Sequence, residues 1–431
     1  VRSVGAAVGD EVRALHHKDP TGAGLNVWAP VVNPLRDPRW GRNEEGYAED
    51  PGLTAVLATA YAQGLRGYHP RLLKTAPTLK HFLGYNNETD RDRTSSNLPP
   101  RVLHEYELPA FRAPLAAGAA VALMPSYNLV NGRPAHLSPL IDSVVRGWAG
   151  DHRSDGDPIE RDILVVSDAG APDNLVNSQY YFADHATAYA ALLRAGLDSF
   201  TQDDADGDPT SRHLTEALRR GLLTESDVDE AVRRALAVRF RLGEFDPPGQ
   251  NPYERITEDA VNCPDHQALA REAARQSIVL LRNNGILPLR PHTPGYGRVA
   301  VVGPLANLVC TDWYSGTLPY AVTVRAALAE RLGEAAVRYA EGVDRISLRS
   351  GSQYVIATDS PEGGRLTLYG PDEGPRDGAR DNATPTTGGS PGSAGRVAWF
   401  DLFDWGQGVD TMRAVANGRT VTVDGDGVLV N

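Results

Sequence analysis

The segment ILVVSDAG, residues 163–170, contains the pattern that decides the fold of this chain. Four apolar residues come first, three of them β-branched, and the polar pair Ser167 and Asp168 follows at once. Such a run is typical of a strand that is buried on both faces of a parallel sheet. Comparable apolar runs occupy four other stretches, 25–32, 75–79, 119–124 and, less clearly, 195–200.

Helical patterns separate these runs, and a new run begins about every 30 to 50 residues. This alternation is the βα unit of a parallel sheet, and both an open doubly wound sheet and a closed eight-stranded barrel fit it. A barrel is favoured because most runs end in polar residues, and barrel chemistry gathers at the carboxyl ends of several strands. Those polar residues are Asn33, Lys80, His81, Ser126, Tyr127, Asn128, Ser167, Asp168 and Asp198. The predicted helices span 52–66, 101–117, 137–148, 183–195, 210–221 and 225–242.

Residues 1–245 are therefore predicted to form a (β/α)₈-type α/β barrel. Five or six strands can be counted where a barrel needs eight, so the first strands are expected upstream of residue 1. Residues 246–262, rich in Pro, Gly and Asn, are predicted to be a linker. A helix at 265–276 and the strand VAVVGP at 299–304 predict the start of a second α/β domain over 263–344.

The pattern changes again after about residue 345. Segments 348–369 and 412–431 are weak copies of each other, each with a β-rich run, a Gly-rich turn and a second β-rich run. Repetition of this kind predicts an incomplete, all-β, trefoil-like module over 345–431. Its central stretch, 370–395, is rich in Gly, Pro, Asp and Ser and is expected to be a mobile loop.

Composition excludes several classes of function. The 431 residues carry a net charge of −12, which does not fit a general nucleic-acid-binding protein, because such proteins need a basic surface for phosphates. No apolar run is long enough to span a bilayer. Two cysteines, without a CxxC or HExxH motif, predict neither a disulfide framework nor a metal site, and no cofactor is expected. Oligomeric state and compartment stay open.

The charged segment 26–51 holds the first candidate ligand-binding residue. Charged residues crowd the loop beside Trp40, among them Asp37, Arg39, Arg42, Glu44, Glu45, Glu49 and Asp50. A guanidinium held by carboxylates keeps a fixed fork that suits vicinal hydroxyls. Arg42 is the candidate for such a contact. The alternative is a salt-bridged loop that only shapes the mouth of the barrel.

Lys80, His81 and Tyr127 follow at two further strand ends. Only three of the 43 basic residues are lysines, which draws attention to Lys80. Adjacent side chains point to opposite sides of a regular strand, so Lys80 and His81 share a site only if the backbone turns there. Tyr127 offers an aromatic wall with a hydroxyl group. The alternatives are a solvated lysine, a core histidine and ordinary aromatic packing.

Asp168 is the candidate nucleophile. A carboxylate at a strand end can attack an anomeric carbon, because covalent catalysis divides glycoside hydrolysis into two easier displacements. The alternative is that Asp168 caps the helix that begins near Ala171.

Seven ordered motifs over residues 1 to about 343 resemble glycoside hydrolase family 3: DPRWGRNEEGYAEDP, TLKHFLGYNN, LMPSYNLVNG, VVSDAG, AGLDSF, RLGEFD and SIVLLRNNGILPL. The resemblance implies a barrel followed by an α/β sandwich, retaining exo-β-glycosidase activity and a carbohydrate substrate. It makes Asp168 the nucleophile and Arg42, Lys80, His81 and Tyr127 the residues that hold the sugar. The acid/base glutamate would lie after the β module, beyond Asn431.

Within the family, the segment after KHF resembles β-xylosidases and β-glucosidases. ELPAFRAPLAAGA and the alanine at position 169 favour the xylosidase branch. The β module resembles fascin-like or ricin-like trefoils inserted in some members. Two alternatives from other classes stay open: a carbohydrate-binding protein without catalysis, and a barrel lyase or aldolase that uses Lys80 as a Schiff base.

Overall fold

The computed structural model describes residues 1–148, 162–202, 206–289, 298–357, 360, 362–369, 398–405 and 409–430. The chain divides into two compact units, Val1–Val279 and Leu280–Asn431. No helix in these described ranges is both long and apolar enough to cross a membrane.

The first unit alternates helices and short strands. Its α-helices are α1 (Arg2–Lys18), α2 (Pro51–Arg66), α3 (Pro100–Val102), α4 (Leu108–Ala116), α5 (Arg146–Trp148), α6 (Ala171–Asn177), α7 (His185–Arg194), α8 (Asp208–Arg219), α9 (Glu225–Leu242) and α10 (Pro264–Ser277). Its strands are β1 (Asn26–Val27), β2 (Ala76–Phe82), β3 (Ser95–Ser96), β4 (Ala122–Pro125), β5 (Leu129–Val130), β6 (Arg133–Pro134) and β7 (Leu164–Val165). Single turns of 3₁₀-helix cover Asn43–Glu45, Ala135–Leu137, Pro252–Arg255 and Glu258–Ala260, and π-helical turns cover Leu103–Glu107 and Ile141–Val145.

A parallel sheet forms the centre of this unit. Its strand order is β1-β2-β4-β7, the order of the chain, and every neighbouring pair is parallel. A parallel bridge between Val166 and Ser199 extends it by one more segment. The five apolar runs therefore lie side by side, as βα units require. A separate three-stranded sheet, β3-β5-β6, follows the carboxyl ends of β2 and β4.

Both faces of the parallel sheet are buried, and alternate residues of the strands belong to different clusters. Leu79, Leu123 and Val165 pack in one cluster with Ala58 and Phe111 from the helices α2 and α4. The residues between them in the strands pack on the opposite face together with side chains from α9: Ala76, Ala122, Met124, Leu164, Val166, Val238 and Leu242. Burial on both faces explains why the strands are continuous apolar runs rather than alternating ones.

Local sequence signals fix several helix ends. Asp50 accepts a hydrogen bond from the Leu53 N–H at the start of α2, and Thr224 and Asp227 form a reciprocal capping box at the start of α9. The predicted helices at 101–117 and 137–148 are instead interrupted by π-helical turns.

The helix α10 differs from the prediction that places it in a second domain. It clusters with the first unit, where His266 Nδ1 lies 2.7 Å from Glu11 Oε1 of α1 and the Asn262 N–H donates to the same oxygen. The second unit begins only at Leu280.

The second unit contains one short helix and several small sheets. Strands β8 (Val299–Val302) and β9 (Val337–Ala340) are parallel, and α11 (Val324–Leu332) lies between them in sequence. Three antiparallel sheets follow, ordered β10-β14-β15, β11-β12-β13 and β16-β17. These strands are β10 (Asp344–Ile346), β11 (Arg349–Ser350), β12 (Gln353–Ile356), β13 (Thr367–Tyr369), β14 (Phe400–Asp404), β15 (Asp410–Ala414), β16 (Thr422–Val423) and β17 (Leu429–Val430), and a 3₁₀ turn covers Glu334–Ala336. The predicted mobile loop at 370–395 lies outside the described residues.

Candidate active site

All five predicted site residues lie near the carboxyl ends of the parallel strands. Arg42 is in the loop that follows β1, Lys80 and His81 are in β2, Tyr127 follows β4, and Asp168 follows β7. Because the strands are parallel and neighbouring, their carboxyl ends meet at one edge of the sheet. The structure therefore brings together side chains that are up to 126 residues apart, from position 42 to position 168.

Asp168 is held by the backbone of the turn that follows its strand. Its Oδ1 accepts a hydrogen bond from the Ala169 N–H at 2.9 Å, and its own N–H faces His136 Nε2 at 3.4 Å. Gly170 comes next with φ at 64°, a left-handed conformation that glycine adopts without a Cβ penalty. The N-cap of the helix α6 is Gly170, and no side chain caps this helix. Asp168 is therefore not a helix cap.

The second carboxylate oxygen of Asp168 is buried, and no described residue makes a hydrogen bond to it. It lies 3.7 Å from His81 Nε2. Burial raises the pKa of Asp168, and the Ala169 N–H, the Tyr127 hydroxyl and the positive charges of Arg42 and Lys80 oppose that rise. Asp168 is thus a carboxylate with one uncommitted oxygen beside two cations.

Lys80 and His81 both face this carboxylate, although they are neighbours in one strand. The register of pairing between β2 and β4 shifts between Lys80 and Phe82, and the Lys80–His81 peptide bond is cis. Asn33 fixes the backbone there, because its side chain accepts from the His81 N–H and donates to the His81 carbonyl, each at 2.8 Å. The strand is therefore irregular at this point, as it must be if the adjacent side chains of Lys80 and His81 are to share one site.

The charges of these two side chains are set by burial. Lys80 is 7% exposed, so it is not a solvated lysine, and burial together with the Arg42 charge lowers its pKa while Glu45 and Asp168 oppose that effect. Burial and the nearby cations Arg42 and Lys80 hold the pKa of His81 well below its ordinary value. His81 is therefore neutral at neutral pH and can donate or accept one hydrogen bond at Nε2.

Arg42 is clamped by Glu45 on the 3₁₀ turn Asn43–Glu45. Its Nε and Nη2 donate to the two carboxylate oxygens at 2.5 and 2.8 Å, and both side chains are only 10–12% exposed. The same carboxylate lies 3.8 Å from Lys80 Nζ. Glu45 thus orients two cations at once, and a bidentate clamp leaves little freedom for the guanidinium plane.

Aromatic rings line the site beside these charges. The Tyr127 hydroxyl donates to the Ala169 carbonyl at 2.8 Å, which ties the β4 loop to the turn that carries Asp168. Tyr85 lies between Trp40, His81 and Tyr127, with edge-to-face ring contacts at 5.7, 5.2 and 6.4 Å between centroids. Trp40, Tyr85 and Tyr127 belong to one buried apolar cluster, which gives this part of the site a rigid wall.

Sequence reasoning did not single out three residues that shape this site. Glu45 is one of several acidic residues in segment 26–51, and its i,i+3 spacing from Arg42 is the signal that could have identified it. Glu88 accepts hydrogen bonds from the Trp40 indole and the Tyr85 hydroxyl, each at 2.8 Å, and carries no local motif. His136 comes from a separate 3₁₀ turn, so no short-range pattern connects it to Asp168.

Asp198, expected among the strand-end polar residues, is not part of the site. Its side chain is fully buried, where it accepts from Arg146 at 3.2 Å, from Arg234 at 2.9 Å and from the Val165 N–H at 2.9 Å. Asp198 is a structural ion-pair residue beside β7. Asp37 is likewise engaged elsewhere, in an exposed pair with Arg39 at 2.8 Å.

A nucleophile-like carboxylate, a neutral imidazole and two oriented cations at the carboxyl edge of a parallel sheet suit a polyhydroxylated ligand. Residues 1–238 match the family described as "Glycosyl hydrolase family 3 N terminal domain". The chain belongs to glycosyl hydrolase family 3.

Relatives in this family carry glycosidase names. A protein of Aspergillus terreus named "Probable exo-1,4-beta-xylosidase" is 34% identical over 86% of this chain and 46% of its own length. "Beta-D-xylosidase 1" of Arabidopsis thaliana is 37% identical over 72% of this chain and 38% of its own length. The chain thus spans less than half the length of these relatives.

Solved structures of glycosidases also resemble this chain. A family 3 exo-β-xylosidase in complex with a xylobiose aziridine activity-based probe superposes with a TM-score of 0.70 at 30% identity, over 80% of this chain and 43% of that one. A β-glucosidase from Erythrobacter marinus superposes with a TM-score of 0.66 at 30% identity, over 80% and 43% of the two chains.

Proposed function

We propose that the protein is a retaining exo-β-glycosidase that releases a terminal β-linked xylose or glucose from oligosaccharides or glycosides. The observation that carries the proposal is Asp168, a buried carboxylate with one uncommitted oxygen that faces His81, Lys80 and Arg42. Membership of the family and the names of its relatives support it.

In the first displacement, an oxygen of Asp168 attacks the anomeric carbon and forms a glycosyl ester, while the glycosidic C–O bond breaks. The leaving oxygen takes a proton from a glutamic acid that we place outside residues 1–431. In the second displacement, water attacks the same carbon, the ester bond breaks and the glutamate receives the proton of the water. Retention requires the two carboxyl groups to be about 5 Å apart.

The neighbouring residues prepare both steps. We assign Arg42, Lys80, His81 and Tyr127 to the sugar in the site that contains Asp168. The charges of Arg42 and Lys80 oppose the effect of burial on the pKa of Asp168 and so favour its ionised form, which is the form that attacks. A clamped guanidinium, an ammonium and a neutral imidazole can each donate to a ring hydroxyl, and bonds that tighten as the ring flattens lower the barrier.

The sugar is proposed from the relatives rather than from the site. The two sequence relatives described above carry xylosidase names, and Ala169 leaves a small side chain beside the nucleophile. Xylose lacks the hydroxymethyl group of glucose, so the two differ by one small substituent that the site accepts or rejects. We favour xylose.

We also propose the complete architecture. The parallel strands of residues 1–245 would belong to a closed (β/α)₈-type barrel, with linker 246–262 after it and a sandwich domain that starts beyond the helix α10, within residues 280–344. Residues 345–431 would belong to a trefoil-like insert. The observation in favour of the insert is the set of short antiparallel strands, in which Arg365 bridges Val430 and so joins the two sequence copies.

The test is hydrolysis of p-nitrophenyl β-xyloside and β-glucoside by the complete gene product, with Asp168→Asn alongside. We expect turnover in the wild type, preference for the xyloside, and loss of turnover with retained xylose binding in the variant. Turnover that survives in Asp168→Asn would contradict the assignment. Sugar binding without turnover in the wild type would instead support a carbohydrate-binding protein.

A further inference from the structure

Three side chains from separate helices of the first unit converge outside the candidate active site. Asp173 lies on α6, His185 begins α7 and His213 lies on α8, and one ligand-type atom from each lies within 4.8 Å of the other two. Asp173 Oδ1 and His185 Nδ1 are 3.3 Å apart, and the two imidazole rings are 4.7 Å apart between centroids, inclined by 25°.

His185 provides the first independent indication of a ligand. Its Nδ1 is buried, and within the described part of the chain it has no hydrogen-bond partner despite its proximity to Asp173. Buried polar atoms are nearly always satisfied, and a bound ion is one of the few explanations for an exception. With its proton on Nε2, His185 presents Nδ1 to the carboxylate as a second acceptor, and a cation between the two atoms satisfies both.

The carboxylate is also oriented from behind. The Tyr189 hydroxyl of α7 donates to Asp173 Oδ1 at 2.8 Å, and Gln202 Nε2 holds the Tyr189 oxygen at 3.3 Å while donating to Thr210 at 2.7 Å. Tyr189 itself is fully buried and stacks on Phe200 at 4.9 Å. Metal-binding carboxylates commonly have such outer hydrogen bonds, which fix the direction of their lone pairs.

We propose that Asp173, His185 and His213 form a site for a divalent zinc-like cation. Two imidazole nitrogens and one carboxylate oxygen suit Zn²⁺, whereas Ca²⁺ and Mg²⁺ prefer oxygen ligands throughout. Donors around a tetrahedral zinc lie about 3.4 Å apart, and the three ligand atoms here lie within 4.8 Å of one another, so side-chain shifts of up to about 1.4 Å would close the cluster. The Asp173 and His185 side chains are 30% and 28% exposed, which leaves room for water as a fourth ligand.

A cation bound by these three side chains would act on the structure of the first unit. The ion would connect α6, α7 and α8, and α6 begins three residues after Asp168. Since α6 continues the turn that carries this carboxylate, cross-linking its first turn to two further helices would restrict that turn. The proposal concerns binding and stability and does not depend on the glycosidase assignment.

The test is zinc binding by the metal-free protein, measured by competition with a chromophoric chelator and by metal analysis after dialysis. We expect one zinc ion per chain, a higher Tm in zinc, and no comparable effect of magnesium or calcium. His213→Gln should lose the tight site and the Tm gain, whereas His104→Gln, at an exposed position, should keep both.

Tyr189→Phe provides a second variant that keeps every ligand. Loss of the outer hydrogen bond should weaken zinc binding about 10- to 100-fold while the fold, followed by circular dichroism, is retained. Equal zinc affinity in the wild type and His213→Gln, or a wild type that returns from dialysis without zinc, would overturn the proposal. If His213→Gln does not fold, an unchanged affinity in Tyr189→Phe would overturn it.

Discussion

Buried His136 predicts a measurable loss of stability in mild acid. Its ring is 2% exposed, and its Nε2 faces the Asp168 N–H, an arrangement that requires an unprotonated nitrogen. Burial lowers the pKa of His136 from 6.5 to about 3, although a backbone hydrogen bond with Ser126 opposes the change. The unfolded chain, with an ordinary histidine, therefore takes up a proton that the folded chain rejects.

Proton linkage gives the direction and the size of this change in the free energy of unfolding. A histidine with a lowered folded pKa contributes full stability above its unfolded value of 6.5, and that stability is lost as the pH falls toward about 3. At pH 5 the unfolded state gains about 2 kcal/mol from protonation of this one group, since each pH unit below 6.5 is worth about 1.4 kcal/mol. At pH 7 the gain is close to zero.

Urea unfolding of the wild type and His136→Gln at pH 7 and pH 5 isolates this contribution. Glutamine keeps a polar acceptor and does not titrate, so the free energy of unfolding of the wild type relative to the variant should fall by about 2 kcal/mol between the two pH values. His104→Gln, at an exposed position, is the matched control. A wild-type-to-variant difference that stays constant between pH 7 and pH 5 would refute the reasoning.

Two further predictions concern charges at the site. Glu45→Gln removes the charge from the buried clamp on Arg42, and kcat/KM is expected to fall about 10- to 100-fold, because a charge-assisted hydrogen bond contributes about 1.5–3 kcal/mol. Asp37→Asn removes an exposed two-bond pair from the same loop and should leave kcat/KM within about twofold; equal losses in the two variants would contradict this contrast. Because burial raises the pKa of Asp168 above its ordinary 3.8, Asp168→Asn should raise Tm at pH 7, with a gain that shrinks as the pH falls toward 3.8. A gain in Tm that is the same at pH 7 and near pH 3.8 would show that ionisation of Asp168 does not destabilise the folded protein.

The parallel α/β arrangement of the first unit was predictable because its signals are local. Apolar runs such as 75–79 and 119–124 become adjacent strands, and the polar residues that end them meet at one edge. Strand lengths were less predictable. The run 25–32 contributes only Asn26–Val27 to the sheet as a strand, and the chain pairs again after Pro30 through the bridge between Val31 and Lys80.

The site was predictable where one strand end carries one functional residue and less so where the backbone is irregular. Regular strand geometry separates Lys80 from His81, and only the register shift, held by Asn33, brings them to the same carboxylate. Asp198 is a strand-end residue that the sequence pattern wrongly groups with the site. It follows an apolar run as Asp168 does, yet two arginines from distant helices neutralise it, and sequence spacing contains no trace of those partners.

The most direct measurement of the central claim is the residue that becomes glycosylated during turnover. The complete gene product is incubated with 2,4-dinitrophenyl 2-deoxy-2-fluoro-β-xyloside, whose good leaving group allows the ester to form and whose fluorine slows its hydrolysis, and the labelled peptide is sequenced by mass spectrometry. The account predicts one fluoroxylosyl group on Asp168 and none on the Asp168→Asn variant. A label on a different carboxylate, or an unlabelled enzyme that continues to hydrolyse β-xylosides, would contradict it.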